Sequence, residues 1–445
     1  MRSAVCLALA HNTEDTGREM FSSHSVIDSP KNTSVEYKNL YIINGQITYL
    51  AKSKIDIPNS NRFLNCDPWK PVVRISTKES ADSIALSIRR KIPLCIVGGN
   101  WWYGNIAHAL WDGLYPAYLA GVKFGYDNDD FTYVTSEWNN KKTLSYDVVT
   151  TFSGNNLQEH SSLERNEITL VETLVSGTGA AGNVIMVSDY VMYGSEFGAI
   201  KKFRDRMFKR YGTPQKNRDA ANIIIVNNKR YSRDERKVID RVVSENDSIQ
   251  FIDWSKHSFS EQLEIIRNTD IHISGPGTGM LYMPFLKDGA VNVNLGYMER
   301  SQTNTSRPNI RINGRRSDFV FPGFMEQAVC AGADYVSTIY YDRYKHNSIE
   351  YDPLKNVIDE AIEVSKSGII NKNNLNIDAM IFVEYCKRAG NEICEHLTRT
   401  SLFIEFFVNE HPLAIPSFVD VDLLRKIKKE FGFDTRYTYV PENKT

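Results

Sequence analysis

The stretch Ile271-His272-Ile273-Ser274-Gly275-Pro276-Gly277-Thr278-Gly279-Met280 decides how this chain is read. Four residues of buried-strand character run into a glycine turn, and a helical pattern opens after it. Parallel α/β sheets are assembled from such junctions, and free amide N–H groups at the start of the following helix attract phosphate. The pattern predicts a helix over 278–286, a turn at Lys287-Asp288-Gly289 and a further strand over 290–295.

Upstream, the alternation repeats. Asn222-Ile223-Ile224-Ile225-Val226 is a continuous β-branched run, as expected of a strand covered on both faces. Ser232-Arg233-Asp234-Glu235 reads as a capping box opening a helix to about residue 245, because the Ser232 hydroxyl can serve the Glu235 amide while Glu235 bonds back. Residues 249–254 form the next strand, and Ser258-Phe259-Ser260-Glu261 is a second capping box whose helix reaches about residue 268. The short connections suit βαβ units.

A chain of 445 residues exceeds one ordinary α/β domain, so the expectation is two α/β domains and a helical extension. The first spans 1–212, the second 213–345 and the extension 346–445, with a linker at Gly212-Thr213-Pro214-Gln215-Lys216-Asn217. In the first domain, residues 92–97 read as a strand ending at Gly98-Gly99. A helix follows from about residue 105, which Pro116 interrupts or kinks, then a strand over 131–135 and a helix over 196–210. Residues 1–90 read as strands and loops decorating this domain. After 346 the pattern is helical, most clearly over 354–367, 377–386 and 423–431.

Composition excludes several classes of partner. With 53 basic and 54 acidic side chains the formal charge is −1, so no global field draws the protein to nucleic acid or to an anionic bilayer. The six cysteines show no C-x-x-C pair and no metal-finger spacing, which favours reduced thiols in a reducing compartment. The apolar run 4–10 is far below membrane-span length and at the short edge for a signal peptide, and reads as a strand. Sequons at Asn32, Asn246, Asn304 and Asn443 are ordinary in a chain so rich in Asn and Ser. A cytoplasmic setting is expected ahead of the secretory pathway. Oligomeric state is not legible.

A second polar constellation lies in the first domain. Asn105, His108 and Asp112 are spaced i, i+3, i+7, which at ~100° per residue puts them within about 60° of one another on one helical face. The same residues also fit a plain structural account, with Asn105 as a cap, His108 half-buried and satisfied, and Asp112 solvated.

Asn105-Ile106-Ala107-His108-Ala109-Leu110-Trp111-Asp112 resembles the N-x-x-H-x-x-x-D segment of glycosyltransferase family 61, which includes plant β-1,2-xylosyltransferase and protein O-GlcNAc or O-mannose-glycan transferases. Three more segments agree in order. Lys229-Arg230-Tyr231-Ser232-Arg233 is similar to the family's basic element after the first donor-domain strand. Ser258-Phe259-Ser260-Glu261-Gln262 is similar to its F-x-E-Q helix start, and Ser274-Gly275-Pro276-Gly277-Thr278-Gly279-Met280-Leu281 to its G-x-H-G-A-G-L loop. The resemblance covers about residues 95–297. Gly277 stands where the family usually has His, and Asn294 where a Glu commonly follows the next strand.

The resemblance implies a GT-B architecture, with two Rossmann-like domains facing across a cleft and the nucleotide-sugar held by the second. It implies inverting transfer of a xylose- or N-acetylglucosamine-type sugar from a UDP-sugar, as co-substrate, to a hydroxyl of an oligosaccharide or glycoprotein acceptor. No cofactor or metal is expected. A base must take the acceptor proton, with Asp112 as the leading candidate and His108 as its competitor or its orienting partner. The departing diphosphate needs fixed positive groups, for which Arg230, Arg233 and the backbone of Ser274, Gly275, Gly277, Thr278 and Gly279 are the candidates, with Asn105 beside them. Glu261 reads both as a donor contact and as the helix-capping partner of Ser258.

Two other readings stay open. A metal-dependent GT-A transferase would need a D-x-D, for which Asp127-Asn128-Asp129 and Asp420-Val421-Asp422 are candidates, the first in a polar loop and the second at a helix cap. A nucleotide- or glycan-binding relative without catalysis is suggested by Gly277. Trp101, Trp102, Tyr103, Trp111 and Tyr115 surround the proposed base, as sugar-stacking surfaces or as aromatic core.

Overall fold

The computed structural model describes residues 20–367, apart from 30–31, 64–66, 100–103, 136–137, 139–142, 155–156, 161–162, 164, 178–198, 217–220 and most of 300–347. The strand expected over 4–10, Trp101, Trp102 and Tyr103, the start of the helix expected at 196, the helices over 377–386 and 423–431, and Asp420-Val421-Asp422 lie outside the described residues. The protein is α/β, with one large mixed sheet and one parallel sheet.

The first sheet contains β1 (Ser23–Ser29), β2 (Asn32–Ile43), β3 (Gln46–Ala51), β4 (Val72–Ile75), β5 (Ile88–Val97), β6 (Thr132–Thr135), β7 (Gln158–Glu159) and β8 (Ile168–Ser176). Its order is β4-β3-β2-β8-β5-β6-β7, with β1 paired to β2. Strands β8, β5, β6 and β7 run parallel, and β2 joins them antiparallel through β8. The N-terminal strands are therefore part of the sheet and not a decoration. Their alternation is weak in sequence because β2 is covered on both faces: Tyr41 packs with Ala81 and Ile84 of α1 (Lys78–Leu86), while Val35, Tyr37 and Leu40 enter another cluster.

Helices cover the parallel half. After β5 the chain forms a turn of α2 (Ile106–His108), a π-helical turn (Ala109–Leu114) and α3 (Tyr115–Lys123); α4 (Leu144–Ser153) and α5 (Ala199–Tyr211) follow. Pro116 thus does not simply kink the run. A proline ring collides with the carbonyl four residues back, here that of Asp112, and the wider π turn relieves the collision.

The second sheet contains β9 (Ile223–Val226), β10 (Ile249–Ile252), β11 (Ile271–Ser274), β12 (Val291–Asn294) and β13 (Ser337–Tyr340), all parallel, in the order β10-β9-β11-β12-β13. This 2-1-3-4-5 order is that of a doubly wound sheet. Both predicted capping boxes form, at Ser232 of α6 (Arg233–Ser244) and at Ser258 of α7 (Phe259–Arg267). The helix expected over 278–286 is instead a 3₁₀ segment, Met280–Phe285. Pro284 cannot donate to Met280 and would strike its carbonyl in an α-helix, so the amides of Met280, Leu281 and Tyr282 turn back by three residues to Gly277, Thr278 and Gly279. Strand β13 went unread, although Val336-Ser337-Thr338-Ile339-Tyr340 is β-branched and aromatic enough to have shown it. Beyond 346, α8 (Tyr351–Ser367) buries Leu354, Val357, Ile358 and Ala361 in the second sheet's own core, so this part of the expected extension packs with the sheet.

One apolar cluster joins the two halves: Leu94, Trp111 and Phe203 pack in it with Leu263, Leu281 and Phe285. Arg204 of α5 crosses over, donating to the Leu286 carbonyl at 2.9 Å and to Asp288 at 2.7 Å. The linker is fastened too. The guanidinium of Arg267 donates to the Thr213 carbonyl, Asn268 Nδ2 to the Pro214 carbonyl at 3.2 Å, and the Lys216 amide to Asn268 Oδ1 at 2.6 Å. Among the described residues, no helix is long and apolar enough to cross a membrane.

Candidate functional site

Two sets of predicted residues gather, each at the C-terminal end of a parallel set of strands. The first follows β5. Asn105 is an N-cap, its Oδ1 accepting from the Ala107 amide at 3.0 Å. One turn on, His108 Nδ1 is hydrogen-bonded to Asp112 Oδ2. The Asp112 side chain is 1% exposed and that of His108 11%, so the carboxylate is enclosed and not solvated. Gly113 lets this turn sit on the strand end: a Cβ there would lie 2.6 Å from the Gly99 carbonyl, which also accepts from Tyr133 Oη at 2.7 Å. From β5 the chain proceeds outward to β6 and β7 and then returns to β8 on the other side of β5. Such a reversal is where α/β sheets bind ligands.

The second set lies where β9 and β11 adjoin, the corresponding reversal of the second sheet. Asn228 Nδ2 and Arg230 Nη1 both donate to the Pro276 carbonyl, at 2.8 and 2.6 Å, and the Gly275 amide donates to Tyr231 Oη at 2.9 Å. The basic element and the glycine loop are thus laced together. Gly277 has φ +127°, and a Cβ there would stand 2.5 Å from Arg230 Nη1, so the guanidinium fills the space that a side chain at 277 would need. Ser274 Oγ donates to the Gly275 carbonyl at 2.9 Å. The amides of Gly277, Thr278 and Gly279 form no hydrogen bond among the described residues, and all three residues are partly exposed. The available donors therefore belong to the loop and not to an α-helix start.

One hydrogen bond joins the elements that carry the two sets. Trp111, between His108 and Asp112 in sequence, donates its indole N–H to the Leu281 carbonyl at 3.2 Å, two residues past Gly279. Trp111 and Tyr115 are otherwise enclosed with Phe203 in an aromatic core, so neither offers a face for stacking on a sugar.

Other predicted residues stand apart. Arg233 is exposed in the first turn of α6 and forms no hydrogen bond with the glycine loop. Glu261 is committed to its capping box, accepting from the Ser258 amide at 2.7 Å and hydroxyl at 2.8 Å. Asp127 of the D-x-D candidate pairs with Lys202 at 2.9 Å, and the Asp127 and Asp129 carbonyls accept from the buried Arg206.

Sequence reasoning missed Asn228, and quoted Tyr231 and Gln262 in the resembling segments without giving either a role. Gln262 donates to the Trp254 and His257 carbonyls and accepts from Tyr282 Oη at 2.5 Å, which ties α7 to the 3₁₀ segment. The polar doublet Asn227-Asn228, directly after an all-apolar strand, was the available signal for the first. Beneath the loop, His272 Nδ1 lies 2.8 Å from Asn292 Oδ1, and burial pushes the imidazole pKa down to about 4. Comparison with protein families and with curated proteins finds no match to the chain.

Proposed function

We propose that the protein is an inverting, metal-independent glycosyltransferase of GT-B type that moves a xylose- or N-acetylglucosamine-type sugar from a UDP-sugar to a hydroxyl of a glycan acceptor. The observation that carries this reading is the row of amides at Gly277, Thr278 and Gly279, without a hydrogen bond among the described residues, beside the Arg230 guanidinium, in a loop whose following 3₁₀ segment accepts from Trp111, between His108 and Asp112. The resemblance of four ordered segments to glycosyltransferase family 61 supports it, and neutral charge with scattered thiols suits a cytoplasmic enzyme without a nucleic-acid partner.

Burial suggests how the pair divides its work. In the tautomer that donates Nδ1–H to Asp112, Nε2 is the basic nitrogen of the His108 ring, and His108 is the more exposed partner. In this scheme His108 takes the proton of the acceptor hydroxyl as that oxygen bonds the anomeric carbon, while Asp112 orients the ring and stabilises the imidazolium. The bond from the anomeric carbon to the diphosphate breaks, and its electron pair leaves with the phosphate oxygen. The amides of 277–279 and Arg230 meet that charge.

Single-turnover assays with a panel of UDP-sugars test the reading. Transfer that is lost in His108→Ala and Asp112→Asn and survives chelation is the expected result. Saturable UDP binding with no transfer from any donor would point to the non-catalytic relative, and loss on chelation to the GT-A alternative.

A further inference from the structure

We infer that Asp253 selects a ribonucleotide over its 2′-deoxy counterpart, by accepting a hydrogen bond from a ribose hydroxyl of the donor. The inference rests on the donor-site reading above and extends it to a residue outside the resembling motifs. Asp253 directly follows the last residue of β10, as Asn227 directly follows the last residue of β9. Val226 and Ile252 are partners in register, so the two polar residues emerge side by side. The Asn227 amide donates to the Ile252 carbonyl at 2.7 Å and its Nδ2 to Asp253 Oδ2 at 3.3 Å. A phosphate at the β9–β11 reversal would lie on the far side of β9 from Asp253, roughly 5–10 Å away given strand spacings of ~4.8 Å. In dinucleotide-binding doubly wound sheets an acidic side chain near the end of the second strand takes the ribose hydroxyl; Asp253 has that second-strand place, with the phosphate loop here following the third strand and not the first.

The carboxylate has the valence to do this. Oδ1 is occupied by the Ser255 amide at 3.1 Å and hydroxyl at 2.7 Å, whereas Oδ2 receives only the longer bond from Asn227 among the described residues. A carboxylate offers about four lone-pair sites, so Oδ2 retains one on a partly exposed edge. Asn227 is itself oriented, its Oδ1 accepting from Arg236 Nη1 at 2.9 Å, which turns its Nδ2 toward Asp253. The neighbouring alternatives are committed elsewhere. Asn294 Oδ1 accepts from the Gly296 amide at 2.9 Å, Asp234 pairs with Lys237 at 2.8 Å, and Glu235 closes its capping box.

Asp253 also caps the short 3₁₀ turn Trp254–Lys256, and the experiment must separate that role from ribose binding. Asp253→Asn keeps a capping oxygen and replaces the second acceptor with an NH₂ group. Calorimetric titration of the full chain with UDP and with 2′-deoxy-UDP is expected to give wild-type protein a preference for UDP of about tenfold, the size of one hydrogen bond to a charged group. In Asp253→Asn the preference should fall to within about twofold. Asp253→Ser, which caps equally well but lacks the outer oxygen, should match it and decides the matter if the Asn variant folds poorly. An unchanged preference in a folded variant, or no preference in the wild type, overturns the inference and leaves the donor site standing. Absence of UDP binding to the wild type overturns both.

Discussion

The two strand-end sites are made of different material. The one after β5 consists of side chains, an imidazole and a carboxylate on one helical turn enclosed by apolar neighbours. The one between β9 and β11 is mostly backbone: three amides and a carbonyl, shaped by glycines and fixed by Asn228, Arg230 and Tyr231. A side-chain site can hold or move a proton, and a backbone site can cradle charge without titrating. Substitutions should therefore damage the first in its chemistry and the second in its shape.

The sharpest way to break this contrast is His108→Ala. Transfer should fall by about 10²–10⁴-fold, the usual contribution of a positioned acid or base, while UDP affinity stays in place. Retention of a tenth or more of the single-turnover rate would sink the assignment. Next in size is a pH effect beneath the glycine loop. His272 is neutral when folded, with its pKa near 4, so the unfolded chain binds the extra proton between about 6.5 and 4 and stability falls as pH drops through that window. The loss should approach about 3 kcal/mol by the bottom of the window, read from urea midpoints, and His272→Gln should flatten the profile. An equally steep profile in the variant would assign the effect to other groups.

Gly277→Ala then tests whether the second site depends on shape. The residue would face both a backbone conformation that side chains rarely adopt and the Arg230 guanidinium, at a cost of about 1–3 kcal/mol. UDP affinity should weaken by tenfold or more while the fold, read from the urea midpoint, loses no more than that cost. Normal affinity would show that the guanidinium moves aside freely. The smallest change is Trp111→Phe, which keeps the ring in its aromatic cluster and deletes one hydrogen bond to Leu281. It should cost about 1 kcal/mol in the urea midpoint. If transfer slows while UDP affinity holds, the bond serves to align the two sites.

What could be read from sequence follows the range of the interaction. Ser232 with Glu235, and Ser258 with Glu261, satisfy each other within four residues, and both capping boxes form as read. The strand at Ile223 and the glycine loop were equally local. Pro116 was read as a break or kink and Pro284 was passed over in the expected helix; how each ring's clash is relieved, by a π turn in one case and a 3₁₀ segment in the other, shows only in the folded backbone. The spacing of His108 and Asp112 indicated one face, whereas their enclosure is a property of the assembled core. The place of β2 beside β8, whose paired residues are more than a hundred positions apart, leaves no local trace.

The crossing at Thr213–Lys216 has a consequence of its own. Held at Thr213, Pro214 and Lys216 by Arg267 and Asn268, the tether is moored to the last turn of α7, so the second sheet's approach begins from a fixed point on that sheet's own helix.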